Sequence, residues 1–261
     1  MEKTIVIKYG GHAMTDENLK ENFARNIIAL FKKKIKPVIV HGGGPQINNL
    51  LMRLGIVSEF INGLRVTDKA AMEVVEMTLC GSVNKAIVAQ INKFKPIAVG
   101  ISGKDANCIS AKQLADKIKL GLVGEVKKVN PSIINILINN NFIPVIAPVG
   151  IGEDNKTYNI NADIAASGIA AALCADSLIL ITDVDGILDK AGELLSRVNV
   201  EKIKQMIDQK IITAGMIPKI KCAVSALNKG VKKVSIVNGK KPNIISDTLM
   251  FGNNIGTEVT L

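Results

Sequence analysis

Two lysines, two glycine turns and one Asn/Asp cluster are the parts of this chain with chemical potential. Lys8 stands one residue before a turn, in Lys8-Tyr9-Gly10-Gly11. His41-Gly42-Gly43-Gly44-Pro45 follows the run Val38-Ile39-Val40 and precedes apolar residues at helical spacing from Ile47 to Leu54. That order reads as buried strand, glycine turn and helix, with Pro45 at the first helical position, where a missing N–H costs nothing. Three glycines strip the turn of side chains, so an anion can lie on bare N–H groups at a helix N-terminus, where the dipole favours it. The plain alternative is a tight turn with no ligand, since a glycine run alone is a weak motif. Lys219 lies beside Pro218 in the first turn of a helix opened by Gly215-Met216-Ile217. Asn159-Ile160-Asn161-Ala162-Asp163 opens a helix of small residues, which Asn161 or Asp163 could simply cap. Phosphoryl transfer suits this set, because it needs phosphates held by backbone and cations to absorb charge in the transition state. A structural role for Lys8 is awkward, since an unpaired ammonium at the end of a buried strand is costly.

Other motifs fail on spacing. Gly100-Ile101-Ser102-Gly103-Lys104 has Ala98 and Asp105 where a P-loop needs glycine spacing and a hydroxyl. No strand precedes a G-x-G-x-x-G, so a dinucleotide site is unsupported. The His41-Gly42-Gly43-Gly44 run is similar to an esterase oxyanion loop, but no G-x-S-x-G elbow accompanies it, and only His12 and His41 are available as bases. Two histidines without a carboxylate–histidine cluster also argue against a zinc enzyme, and no metal ligand is assigned.

Composition narrows the class. The 261 residues are 48% hydrophobic and 21% charged, a balance typical of a globular chain with ample length for a core. Aromatics are 3% with no Trp, which argues against base-stacking nucleic-acid folds. The net charge of +10 suggests anionic partners, but runs such as Lys32-Lys33-Lys34, Lys127-Lys128 and Lys240-Lys241 read as solvated faces. Cys80, Cys108, Cys174 and Cys222 have no metal or C-x-x-C spacing and read as small buried groups in a reducing compartment. No signal peptide and no membrane-length apolar run is present, so no membrane association and a cytoplasmic location are expected.

The elements that must position these residues alternate. Strand 4–9, helix 17–31, strand 37–41 and the helix after Gly44 give β-α-β-α, the pattern of a parallel sheet covered by helices. Ligands of such sheets bind beyond the C-terminal strand edge, where both glycine turns lie. Asn62-Gly63 signals a hairpin with Arg65 just beyond it. The spacing predicts a helical segment 68–93 with a break near Gly81, a strand 96–101, and a surface excursion over 106–130 with a hairpin around Gly121 and Gly124. Helix 131–140, strand 143–147, helix 164–174 and strand 177–181 follow. Helices near 199–208 and 216–229, strand 233–237 and a last sheet segment 243–250 complete the chain. The expectation is one continuous sheet shared by two halves that meet near 165–175.

At this point the motifs resemble the amino acid kinase family. Lys8-Tyr9-Gly10-Gly11, His41 to Pro45, Asn62-Gly63-Leu64-Arg65-Val66-Thr67, Asn159 to Asp163, Thr182-Asp183-Val184-Asp185-Gly186-Ile187 and Gly215 to Lys219 occur in the family's order. The Asn62–Thr67 stretch is the most specific and is similar to the branch acting on N-acetyl-L-glutamate, rather than to aspartate, glutamate 5-, uridylate or carbamate kinases. The resemblance implies an α/β fold, a three-layer αβα sandwich with a mainly parallel open sheet of the carbamate kinase-like kind. It implies transfer of the ATP γ-phosphoryl group to the substrate γ-carboxylate, the second step of arginine biosynthesis.

Carried over by motif, Lys8 and Lys219 stabilise the transferring phosphoryl group and Asp163 orients them. Gly11, Gly43 and Gly44 offer N–H groups to phosphates and substrate, and Arg65 with Asn159 holds the substrate α-carboxylate. Thr182, Asp183, Val184, Asp185, Gly186, Ile187 and Leu188, with Ile211, Ile212 and Thr213, line the nucleotide site. Mg²⁺ accompanies ATP, carried mainly by the phosphates. Residues 1–170 form an N-terminal lobe for acetylglutamate and dimerisation, and residues 171–261 a C-terminal lobe for ATP. Pro218 departs from the family pattern without consequence for chemistry. The first strand begins by Thr4, so the N-terminal helix of arginine-inhibited hexamers is not expected, and an arginine-insensitive homodimer is. Two other possibilities are a kinase acting on carrier-protein-linked aminoadipate or glutamate, which would replace Asn62–Thr67, and a non-catalytic regulator, which would lose a lysine.

Overall fold

The structure, a computed structural model, describes residues 2–114, 120–212, 216–250 and 255–261, leaving aside the side chains of residues 12 and 250. Strand β1 (Thr4–Tyr9), helix α1 (Glu17–Lys32), β2 (Lys36–His41) and α2 (Gly44–Arg53) realise the opening alternation. The hairpin β3 (Phe60–Ile61) and β4 (Leu64–Arg65) turns at Asn62 and Gly63, both at positive φ. Then come α3 (Lys69–Glu76), a π-helical stretch Met77–Val83, and α4 (Asn84–Asn92). The middle of the chain holds β5 (Ala98–Ser102), β6 (Ile109–Gln113), β7 (Val123–Val129), α5 (Ser132–Asn139), β8 (Ile143–Ala147), β9 (Val149–Gly152) and β10 (Thr157–Ile160). The last part holds α6 (Ala162–Ala172), β11 (Ser177–Thr182), β12 (Arg197–Asn199), α7 (Val200–Asp208) and α8 (Ile217–Asn228), then β13 (Val234–Asn238), α9 (Ile244–Met250) and β14 (Gly256–Thr260).

The main sheet runs β12-β14-β13-β11-β1-β2-β8-β5, and among the described residues only β13 and β14 pair antiparallel. Strand alternation divides the core into two layers. Val6, Val38, Val40, Leu178 and Leu180 pack with Ala165, Ile169, Ile220 and Ala223 of α6 and α8. Ile5, Ile7, Tyr9, Ile39 and Ile179 pack on the other face with Phe23, Ile27, Ile87 and Ile91 of α1 and α4. This is the three-layer αβα sandwich that the motifs imply. A third cluster joins α2, α3 and the π-helical stretch to Ala147 and Val149.

Three expectations need correction. Segment 243–250 is the helix α9, not a sheet segment: Asn26 of α1 accepts from the Ser246 hydroxyl at 2.6 Å, and β14 completes the sheet instead. The described part of 106–130 is no surface excursion: β6 and β7 pair antiparallel as the expected hairpin, and they close a four-stranded barrel with β9 and β10, burying Ile109, Ala111 and Val123. Gly124 lies within β7 opposite Gln113 rather than in a turn, while Gly121 bridges to Thr67. No break occurs at Gly81. The helix widens there into the π-helical stretch, and Leu79 and Val83 pack into the core.

Candidate active site

Parallel strands bring Lys8 of β1, His41 of β2 and Thr182 of β11 to one edge, with Lys8 in register with Val40 and Leu180. Lys8 shares the face of Val6, towards α6. Asn161 caps α6, accepting from the Asp163 N–H at 2.9 Å and the Ile164 N–H at 3.3 Å. The cap role therefore falls to Asn161, which leaves the Asp163 carboxylate for other partners. Lys8 Nζ lies 3.0 Å from Asp163 Oδ1, and Lys219 Nζ donates to Oδ2 at 2.9 Å. Burial alone would push the Asp163 carboxyl up, but the two ammonium groups outweigh it and hold the carboxyl below its ordinary range. One carboxylate thus fixes two cations and leaves a net positive cluster.

The Lys8 side chain folds over Gly10, where a Cβ would stand only 2.8 Å from Nζ. Gly11 has φ +72°, and the Asp183 carboxylate lies against its Cα where a side chain would stand. Asp183 thereby brings the Thr182-Asp183 turn to the first glycine turn. At the second turn Gly43 packs against Leu79 of the π-helical stretch, and Gly44 faces open space. The N–H groups of Gly43 and Gly44 meet no acceptor among the described residues. The start of α2 therefore carries two backbone donors without a partner among the described residues.

Arg65 is buried, donates to the Ser58 hydroxyl and to Gly44 O at 3.4 Å, and stacks 4.6 Å over the Phe60 ring. It has no carboxylate partner among the described residues. Burial lowers the pKa of this guanidinium. Thr67 ties it to Asn159, donating to Arg65 O at 2.8 Å and accepting from Asn159 Nδ2 at 3.1 Å. A cleft of about 1000 Å³ opens alongside, with Asp163, Lys219, Pro218, Asn62 and Gly63 among its walls.

The C-terminal residues are less uniform. Asp185 pairs with Lys241 at 2.6 Å and accepts from Asn238 at 3.2 Å. Its carboxyl is held down by the hydrogen bond from Lys241 first and that from Asn238 next. Gly186 packs against Thr257, Ile187 is buried in the core, and Val184 and Leu188 are exposed. Ile212 is buried and Ile211 packs on the same core. Thr213 and Gly215 lie outside the described residues. Sequence reasoning missed Asn84, a buried amide at the start of α4 that bonds His41; a polar residue next to the apolar series Leu79, Val83, Ile87, Ile91 was the available signal. Among the described residues no three His, Cys, Asp or Glu side chains are grouped to hold a metal ion.

A profile of the amino acid kinase family matches residues 3–238. The acetylglutamate kinase of Geobacter sulfurreducens is 50% identical over 267 residues, covering 98% of this chain and 91% of that protein. The acetylglutamate kinase of Syntrophobacter fumaroxidans is 48% identical, covering 98% and 90%. Among solved structures, smu.665 from Streptococcus mutans UA159 is 34% identical with a TM-score of 0.84, covering 100% of this chain and 99% of that one. The Giardia lamblia carbamate kinase bound to AMP-PNP shares the fold at a TM-score of 0.72 and 18% identity, covering 99% and 98%.

Proposed function

The chain belongs to the amino acid kinase family, and from that premise we propose that it is an acetylglutamate kinase. It transfers the ATP γ-phosphoryl group to the γ-carboxylate of N-acetyl-L-glutamate, giving N-acetyl-L-glutamyl 5-phosphate and ADP, the second step of arginine biosynthesis. The observation that carries this is the Lys8–Asp163–Lys219 triad beside two glycine turns.

The substrate γ-carboxylate oxygen attacks the γ-phosphorus, and the bond to the β–γ bridging oxygen breaks as ADP leaves. Lys8 and Lys219 absorb charge on the transferring group, and Asp163 keeps both ammonium groups aimed at it. Gly11, Gly43 and Gly44 offer N–H groups to phosphates and substrate. Arg65, unpaired with any described carboxylate, forks onto the substrate α-carboxylate, with Asn159 beside it through Thr67. Thr182 to Leu188, with Ile211 and Ile212, border the nucleotide. Of these, Asp183 reaches the first glycine turn, whereas Ile187 supports from the core. Mg²⁺ would neutralise phosphate charge and would be carried mainly by the nucleotide.

Residues 1–170 serve as the substrate and dimerisation lobe and 171–261 as the ATP lobe of one sheet. The protein works as a cytoplasmic homodimer. No described helix is long and apolar enough to cross a membrane. Most apolar side chains of 68–93 face the core, and exposed Met77 offers the contact point. Light scattering tests the dimer. A coupled ADP-release assay with N-acetylglutamate, glutamate and aspartate tests the activity. ADP release that requires N-acetylglutamate supports it, and turnover of glutamate or aspartate alone overturns it.

A further inference from the structure

His41 is fully buried, yet it has no part in the chemistry assigned above. Its Nδ1 lies 2.8 Å from Gly42 O, and its Nε2 lies 3.1 Å from Asn84 Nδ2. An amide nitrogen can only donate, so Nε2 accepts and Nδ1–H donates to Gly42 O. The ring is the neutral Nδ1–H tautomer. Asn84 is held in turn, since its Nδ2 also lies 2.9 Å from Val145 O and 3.3 Å from Ile101 O, so that one of its two N–H bonds is shared between two of the three acceptors. A Cβ on Gly100 would overlap Asn84 Oδ1, so β5 carries glycine where the amide packs. The Gly42 N–H donates to Tyr9 O at 2.8 Å.

The Gly42 carbonyl and the Gly43 N–H belong to one planar trans peptide. Fixing the carbonyl on His41 Nδ1 points the N–H the opposite way, where no acceptor among the described residues takes it. We propose that the buried His41–Asn84 pair is a positioning device, which orients the Gly42–Gly43 peptide so that the Gly43 N–H is presented to the phosphoryl group or substrate. The pair touches neither. It acts through the backbone, and it rests on the function proposed above for what the N–H receives.

The test compares His41→Leu, His41→Gln and Asn84→Ala with the unaltered protein by kcat, KM, thermal stability and the amide ¹⁵N–¹H shifts of Gly43 and Gly44. Leucine fills the site but cannot bond, whereas glutamine can both donate to Gly42 O and accept from Asn84. A misplaced catalytic group costs up to about 100-fold in rate, so His41→Leu should lose about 10- to 100-fold in kcat with the KM for ATP within about twofold. His41→Gln should recover about tenfold of that loss, and the loss should not follow the melting temperatures. The Gly43 amide should shift in His41→Leu and Asn84→Ala. If His41→Leu keeps its kcat, or if activity falls only in step with stability, the pair is merely structural. The amide shifts need no substrate. A protein inactive on N-acetylglutamate refutes the proposed activity, while a Gly43 amide unmoved in the variants refutes the positioning.

Discussion

Asp163 and Lys219 are 56 positions apart and meet at 2.9 Å between Oδ2 and Nζ. Lys8 occupies the other oxygen at 3.0 Å. A single carboxylate is thus shared by ammonium groups from β1 and α8, which come from the two ends of the chain. The residual positive charge is free for an incoming anion, whereas one carboxylate per lysine would cancel it.

Removal of either lysine should therefore strike the chemical step. Lys8→Ala and Lys219→Ala should each lower kcat by about 10²–10³, the usual cost of one preorganised electrostatic group. The KM for N-acetylglutamate should change less. Steady-state ADP release measures both, and near-full kcat in both variants would remove these residues from the mechanism.

Asp163→Asn should be worse for stability than for substrate binding. The asparagine amide offers one acceptor and turns a donor towards a cation, leaving two ammonium groups poorly compensated. Breaking a buried ion pair on one side costs roughly 3 kcal/mol or more. Urea unfolding at pH 7 should show that loss, together with a fall in kcat. An unchanged unfolding midpoint would mean the lysines find other partners.

How far these residues could be read beforehand depended on how local the cause is. Lys8 stood out because strand alternation fixes its side and burial makes an unpaired ammonium costly. Asp163 was ambiguous between cap and ion-pair roles, since the spacing of Asn161 and Asp163 suits either, and only the position of Lys219 decides. The barrel of β6, β7, β9 and β10 was hidden because its pairings join segments separated in sequence and mix parallel with antiparallel neighbours. Asn84 was only half legible: its place beside an apolar helical series marked it as a polar residue near the core, but its partners lie on β2, β5 and β8, far away in sequence.

Arg65→Lys should change substrate choice rather than nucleotide use. The guanidinium is held by Ser58, Gly44 O and the Phe60 ring, a seat that suits a planar fork. Lysine keeps the charge but loses the bidentate geometry. The KM for N-acetylglutamate should rise about tenfold or more, matching loss of a 1.5–3 kcal/mol charged hydrogen bond, with the KM for ATP unmoved. An unchanged KM for N-acetylglutamate would take Arg65 out of the substrate site.

His41 should dominate the response of stability to mild acid. Burial pushes its imidazole down to about 4 from an ordinary value of 6.5, and the Gly42 hydrogen bond only partly opposes this. The unfolded chain therefore binds a proton below pH 6.5 that the folded chain refuses. The stability at stake is complete above pH 6.5 and is lost as the pH falls towards 4, by up to about 3 kcal/mol for this single group. Asp163 acts in the same direction but lower, since a carboxyl held below its ordinary 3.8 loses its contribution only as the pH falls through that region. Between pH 6.5 and 4.5 the two effects are separable. Unfolding free energies from urea titrations at pH 7.5, 6.0 and 5.0 should fall steadily for the unaltered protein. In His41→Gln, which has no proton to refuse, the curve over that range should be markedly flatter. Parallel curves would show that His41 does not stay neutral in the folded state, and with that the assigned tautomer would fall as well.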